Sequence, residues 1–257
     1  MSGHSKWATI KHKKGAQDKA RGKLFAKLIR QVEVAAREGG SDISSNAGLR
    51  TAFAKARDAS VPLDTIERAV KRGTGELEGV RYEAITYEGY APAGVAVIVE
   101  CLSDNRNRTG AEIRNIFAKS GGSMAEPGSV SWQFERKGIV VVTQKKDSNG
   151  NAVPSEDQVM MAGLEAGAED LVDNGDSWNL TCSASDVHSL KEVLEGQGYE
   201  VTQAETTLIS NTVIELDNES DARKVLRVID ALEDHDDVQN VYANFDVPDQ
   251  ILEQIQD

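Results

Sequence analysis

Only two of the 257 residues are cysteine, Cys101 and Cys182, so no disulfide scaffold can hold this chain together. Both sit in apolar, strand-like runs, which reads as two buried, reduced thiols on strands of separate domains. Aromatic residues are scarce as well, at 5%. No apolar run approaches the roughly 18–20 residues that a membrane-crossing helix needs. The longest, Val95 to Leu102, already contains Glu100. The opening stretch, Met1 to Gly15, is rich in Lys and His and has no apolar core of the secretory type. These absences lead to the expectation of a cytoplasmic protein with no membrane contact.

The signatures of the commoner enzyme chemistries are missing too. No phosphate loop exists, because Gly22-Lys23 is followed by Leu24 rather than Ser or Thr. Gly73, Gly75 and Gly79 miss the dinucleotide spacing and follow a helical pattern, not a strand. There is no Gly-x-Ser-x-Gly, no His-Glu-x-x-His and no Cys-x-x-Cys. His4 and His12 lie among cations that repel a metal, and His188 opens a helix. His235 belongs to Glu233-Asp234-His235-Asp236-Asp237, which fits a solvated acidic loop better than a hard-cation site. Asp173 and Asp176 flank Asn174-Gly175 and fit a polar hairpin tip better than an acid–base pair. A metal-dependent hydrolase would need an ion at His235 or Asp173. The expectation is no enzyme, no metal and no cofactor.

What is present is an uneven charge. The whole chain carries −13. Residues 1–75 hold 16 Lys/Arg against 7 Asp/Glu, net +9, and the rest hold 13 against 35, net −22. Hydrophobics at 39%, together with 22 glycines, make roughly 48% apolar residues, a normal globular share. A basic head on an acidic body is the asymmetry of an arm that meets a polyanion.

The periodicity divides the chain. Residues 1–15 show no helical period and read as an arm. From about Gln17, Leu24, Leu28, Val32 and Ala36 follow i, i+4 spacing up to the stop at Gly39-Gly40. A second helix follows Asn46. A third starts at Asp64, where Asp64 and Glu67 resemble a capping box, and runs to Gly73. From Tyr82 the period shifts to that of strands. Strands 85–90 and 95–101 are followed by a helix over 109–119 and a strand over 130–134. Segments 139–143, 155–165, 168–173, 177–182, 186–196 and 199–205 then run β-α-β-β-α-β, the ferredoxin-like order, with a hairpin at Asn174-Gly175. A final β-α-β follows, 207–216, 219–233 and 238–246. It is too small to stand alone, so strand 238–246 is expected in one sheet with 95–101. The fold class expected is α+β: an N-terminal three-helix bundle, then two ferredoxin-like α/β domains, one inserted in the other. The boundaries are 1–78 for arm and bundle, 79–134 plus 207–248 for the discontinuous domain, and 135–206 for the insert.

Three features carry candidate chemistry. The first is the basic arm and first helix: Lys6, Trp7, Lys11, His12, Lys13, Lys14, Lys19, Arg21, Lys23, Lys27 and Arg30. Lysines neutralise phosphates with release of counterions, and Trp7 offers a face for base stacking. The second is Asp104-Asn105-Arg106-Asn107-Arg108-Thr109 at a helix start, where Arg106 and Arg108 suit phosphate or carboxylate, though Thr109 could simply cap the helix. The third is Gly121-Gly122 with Gly128-Ser129-Val130, which also reads as a glycine-rich turn into a strand.

The same residues carry a resemblance. Gly3-His4-Ser5-Lys6-Trp7 with Ile10-Lys11-His12-Lys13-Lys14 is similar to the opening of the YebC/PmpR family. Val61-Pro62, Ile66-Glu67-Arg68-Ala69 and Gly73-Thr74-Gly75-Glu76 resemble its third-helix motif. Tyr87-Glu88-Gly89-Tyr90, Asp104 to Thr109 and Gly128-Ser129-Val130 match as well. Ser123-Met124-Ala125 departs from the usual Asn-Leu-Gly. The resemblance implies three domains and a bacterial cytoplasmic protein or an organellar relative, the bacterial one favoured because the motif begins at residue 2. It implies a DNA-binding transcriptional regulator, with a ribosome-associated translation factor contacting ribosomal RNA as the alternative. The implied partners are nucleic acid and, on the acidic α/β domains, a protein. Helix three offers Arg68, Lys71 and Arg72 but few base-reading Asn or Gln, and the strongest features address phosphate.

Overall fold

The computed structural model describes residues 18–146, 148 and 152–256, with the backbone alone at 18–21, 249, 253, 254 and 256. The arm residues Lys6, Trp7, Lys11, His12, Lys13 and Lys14 lie outside the described residues. The chain is α+β and forms two compact units. One takes the described part of Lys14–Val130 with Asn218–Ala243; the other takes Ser131–Asp217 with Asn244–Asp257.

Helix α1 (Asp18–Gly39) buries Leu28, Val32 and Ala36 on one stripe. Asn46 then closes one helix and opens the next. Its Nδ2 donates to the carbonyls of Ala35 (2.8 Å) and Gly40 (2.9 Å), and its Oδ1 accepts from Leu49 N–H at the start of α2 (Ala47–Asp58). Helix α3 (Leu63–Thr74) starts one residue before the expected Asp64 and has no side-chain cap. Pro62, with φ −57°, is already set for the turn, so Asp64 falls inside the helix rather than at the cap position. Gly73 lets α3 approach α1: a Cβ there would stand 2.4 Å from the Glu33 carbonyl oxygen and 2.8 Å from Ala36 Cβ. The buried Glu33 accepts from Arg72 Nε at 2.9 Å and fixes the same contact.

Strands β1 (Glu83–Tyr90) and β2 (Ala96–Ser103) pair antiparallel, Ile85 opposite Cys101. Helix α4 (Arg106–Lys119) begins three residues earlier than its periodicity implied, because Asn105, not Thr109, is the cap. A short β3 (Ser123–Ala125) joins β1. Residues 131–133 form a 3₁₀ turn where a strand over 130–134 was expected. The reason lies 42 positions away: Val130 N–H donates to the Glu88 carboxylate instead of a ladder.

The second unit contains β4 (Phe134–Thr143), α5 (Glu156–Glu165), β5 (Ala168–Asp173), β6 (Ser177–Ser183), α6 (Val187–Gly196) and β7 (Val201–Ser210). The sheet order is β5-β6-β4-β7, with every pair antiparallel, which is the ferredoxin-like arrangement. Val140, Val142 and Leu180 pack with Leu190 and Leu194 in its core. The expected break between 205 and 207 is absent. Glu205-Thr206-Thr207 offers no turn residue, and the ladder to β4 runs unbroken across it.

Helix α7 (Glu219–Glu233) and β8 (Val238–Ala243) return to the first unit, where the sheet order is β8-β2-β1-β3. Strand 238–246 thus shares a sheet with 95–101 as far as Ala243. Phe245–Asp246 pairs instead with Ile214–Glu215 in the second unit, which also holds α8 (Asp249–Gln256). Cys101 and Cys182 are free and buried, in different sheets. Among the described residues no helix is long and apolar enough to cross a membrane, and no cluster of three or more His, Cys, Asp or Glu can hold a metal ion.

Candidate nucleic-acid interface

Lys23, Lys27, Arg30 and Gln31 stand at i, i+4, i+7 and i+8 on α1, one continuous stripe. The fold turns that stripe onto the end of α7. Lys23 Nζ donates to the carbonyl oxygen (3.1 Å) and to the carboxylate of Asp234. Lys27 Nζ donates to the Glu233 carbonyl at 2.7 Å, and Arg30 to the Asp236 carbonyl at 2.7 Å. Gln31 Nε2 donates to Gln239 Oε1 at 3.2 Å. Helix α7 has no basic residue in its own last turn; Asp234 N–H and His235 N–H take the Asp230 and Leu232 carbonyls, and the Glu233 and Asp234 carbonyls are left for donors from elsewhere. The basic stripe of α1 supplies them. The structure therefore gives Lys23, Lys27 and Arg30 an internal role that charge density alone did not reveal. The legible clue was the acidic run 233–237 directly after a helix without a glycine stop.

Asp237 is the centre of this contact and only 4% exposed. Its Oδ1 accepts from Arg30 at 3.0 Å, and its Oδ2 accepts from Arg108 at 2.8 Å and from Thr109 Oγ1 at 2.6 Å. Burial alone would raise its pKa; the hydrogen bonds from Thr109 and Arg108 and the nearby guanidinium charges outweigh that and hold it below the ordinary value. Arg30 also stacks 5.2 Å from the centre of the Tyr82 ring. His235 Nδ1 accepts from Asp237 N–H at 3.1 Å, which leaves Nε2 to donate to Glu112 at 2.8 Å. These side chains line a cleft of about 620 Å³. Each Lys or Arg lining it (Lys23, Arg30 and Arg108) is already ion-paired.

The motif 104–109 is a structural joint. Asn105 Oδ1 caps α4 by accepting from Arg108 N–H at 3.1 Å, and Arg108 also binds Asp104 at 2.7 Å. Thr109 is fully buried and hydrogen-bonds Ser103 Oγ at 2.6 Å as well as Asp237. Arg106 is exposed, and its carbonyl accepts from the Tyr87 hydroxyl at 3.1 Å. Two further motifs meet each other: the Glu88 carboxylate accepts from Gly128 N–H and Val130 N–H, both at 2.7 Å. Gly128 has φ +88°, which suits glycine at that bend.

Lys19 and Arg21 lie in the first turn of α1. Other cations of the bundle face solvent. Arg50 and Arg57 are exposed two turns apart on α2, clear of buried Leu49, Ala52 and Ala56. Arg68 and Lys71 are exposed one turn apart on α3. None of the four makes an ion pair among the described residues. Arg50 and Arg57 escaped the sequence reading because they are two isolated cations; only the helical phase separates them from the core.

Residues 5–76 match the family model described as TACO1/YebC protein N-terminal domain, and residues 82–245 match that of the TACO1/YebC second and third domain. The chain is 51% identical over 255 residues to a "Probable transcriptional regulatory protein" of Halothermothrix orenii, covering 99% of both chains. It is 53% identical to one of the same name in Thermobifida fusca, over 99% of this chain and 100% of that protein. The crystal structure of a conserved hypothetical protein from Aquifex aeolicus superposes with a TM-score of 0.79 at 42% identity, covering 91% of this chain and 94% of that one. The chain belongs to the TACO1/YebC family.

Proposed function

We propose that this protein is a non-enzymatic, DNA-binding regulator of gene expression that grips its polymer through phosphates. The arm residues Lys6, Trp7, Lys11, His12, Lys13 and Lys14 do this together with Lys19, Arg21 and the outward cations of the bundle. The observation that carries the reading is the net +9 of residues 1–75 on a chain of −13, with Arg50, Arg57, Arg68 and Lys71 turned to solvent. An acidic protein keeps such a basic surface at a cost in self-attraction unless a polyanion uses it. The names of the relatives, probable transcriptional regulatory proteins, agree with this reading. The α/β domains, net negative, are repelled by the same polymer and are left for a protein partner. The protein acts in the cytoplasm.

A second reading, a ribosome-associated translation factor, is favoured by one observation. Neither α2 nor α3 contains an Asn or Gln, the amide side chains that read adenine. Two measurements separate the readings. A DNA regulator selects a site from random duplex and prefers it by at least ~10³ at physiological salt. A ribosome factor binds duplex without selection and co-sediments with ribosomes until salt is raised. The absence of both site selection and co-sedimentation would refute both readings.

A further inference from the structure

The outer and inner halves of the α1–α7 contact differ in how tightly they are tied. Arg30, Asp237, Arg108 and Thr109 form the inner half, where the Asp237 side chain is 5% exposed and serves three donors. Removing either arginine would leave a buried carboxylate short of its counter-charge. Lys23 and Asp234 form the outer half, with side chains 39% and 75% exposed. An ion pair so exposed is screened, and its partners exchange readily. Lys23 lies one turn after Lys19 and two residues after Arg21, which makes it the member of the stripe nearest in sequence to the proposed phosphate contacts. The chain thus presents an aspartate to the cation that stands closest to the proposed phosphate path.

We infer that the acidic turn after α7 acts as an internal stand-in for nucleic-acid phosphate, the Asp234 carboxylate occupying Lys23 until a phosphodiester oxygen replaces it. This rests on the nucleic-acid reading and adds a regulatory contact to it. The exchange is local. Lys27 and Arg30 keep their carbonyl partners, so the bundle stays docked while Lys23 changes partner. The acidic turn weakens binding at every sequence alike, because it competes for a phosphate contact and not for a base.

Asp234→Asn tests this, with Lys23→Gln and the double variant completing a cycle. Glu83→Gln, an exposed carboxylate on β1, removes the same charge from another element. The probes are 16-base-pair DNA and RNA duplexes of one sequence, titrated by fluorescence anisotropy between 0.05 and 0.2 M salt, with the melting temperature of each variant recorded. Asp234→Asn should tighten binding, because the phosphate no longer displaces a carboxylate, and Lys23→Gln, which removes the contact, should flatten the dependence of log K on log salt by about 0.9 for DNA; one such contact is worth up to roughly eightfold at 0.1 M relative to 1 M. The gain should vanish in the double variant, and Glu83→Gln should leave the slope unchanged. A gain on DNA alone, or on RNA alone, identifies which polymer makes the exchange. Equal affinity for Asp234→Asn and wild type, both binding, overturns the inference while the nucleic-acid reading stands. An equal gain from Glu83→Gln also overturns it, since net charge then suffices. Failure of every variant to bind either duplex at 0.05 M overturns the reading and the inference together.

Discussion

Replacing Asp237 by Ala removes three acceptor contacts at once, and the surroundings of each set its cost. The bond from Thr109 is buried on both sides; its hydroxyl keeps Ser103 Oγ and the Asn105 carbonyl at 3.2 Å within reach, so the loss of this bond costs about 1.5 kcal/mol. Arg108 keeps Asp104 and is 42% exposed, so it re-solvates at little cost. Arg30 is 21% exposed and keeps the Asp236 carbonyl, which places its loss between the two. The sum is about 3 kcal/mol, or roughly 6–12 °C in melting temperature for a domain of this size. Thr109→Val should account for about half of it. The effect also depends on pH. Asp237 has a folded pKa below the ordinary 3.8, so its stabilisation is complete above that value and fades as pH falls through the lower folded pKa. The gap between wild type and Asp237→Ala, measured by urea unfolding followed by circular dichroism, should be constant from pH 7 to 5 and shrink below pH 3.8. A loss under about 0.5 kcal/mol, or a gap that persists unchanged to pH 2, would refute this account of the joint.

Glu88→Gln places an amide N–H2 against the N–H of Gly128 or Val130, so urea unfolding should show a loss of about 2 kcal/mol. Gly73→Ala gains helix propensity but drives a Cβ into the Glu33 carbonyl; a net loss of about 1–2 kcal/mol is expected, and an unchanged or raised melting temperature would contradict it. Burial pushes Cys101 up to about 12 and Cys182 up to about 11, so neither thiol should react with a maleimide at pH 7 until denaturant is added.

Much of the fold is written in local pattern. The i, i+4 stripe of α1 from Leu28 onward (Leu24 is 47% exposed), the start of α2 after Asn46 and the Asn174-Gly175 hairpin are each fixed within a few residues and were legible as such. What local pattern hides is partner choice over long separation. Lys23 and Asp234 are 211 positions apart, and each looks like an ordinary solvated charge until the chain brings them together. Glu88 and Gly128-Ser129-Val130 show the same blindness, two motifs read singly that are partners across 40 positions. Strand ends failed for a related reason: the 3₁₀ turn at 131–133 exists because a distant carboxylate takes an amide that would otherwise extend a ladder. Of the site, the basic character of residues 1–75 was legible, but the division of its cations into internal and outward ones was not.

The central claim is that the basic arm and bundle bind a nucleic-acid backbone, and charge reversal of the arm tests it most directly. Lys11, Lys13 and Lys14 are changed together to Glu, and binding to DNA and RNA duplexes is titrated across salt in parallel with wild type. The account predicts weaker binding to both, a DNA salt slope flattened by at most roughly 3, and an unchanged melting temperature, because all three precede the first apolar stripe. Wild-type affinity and slope in the triple variant, at matched salt and for both polymers, would contradict it.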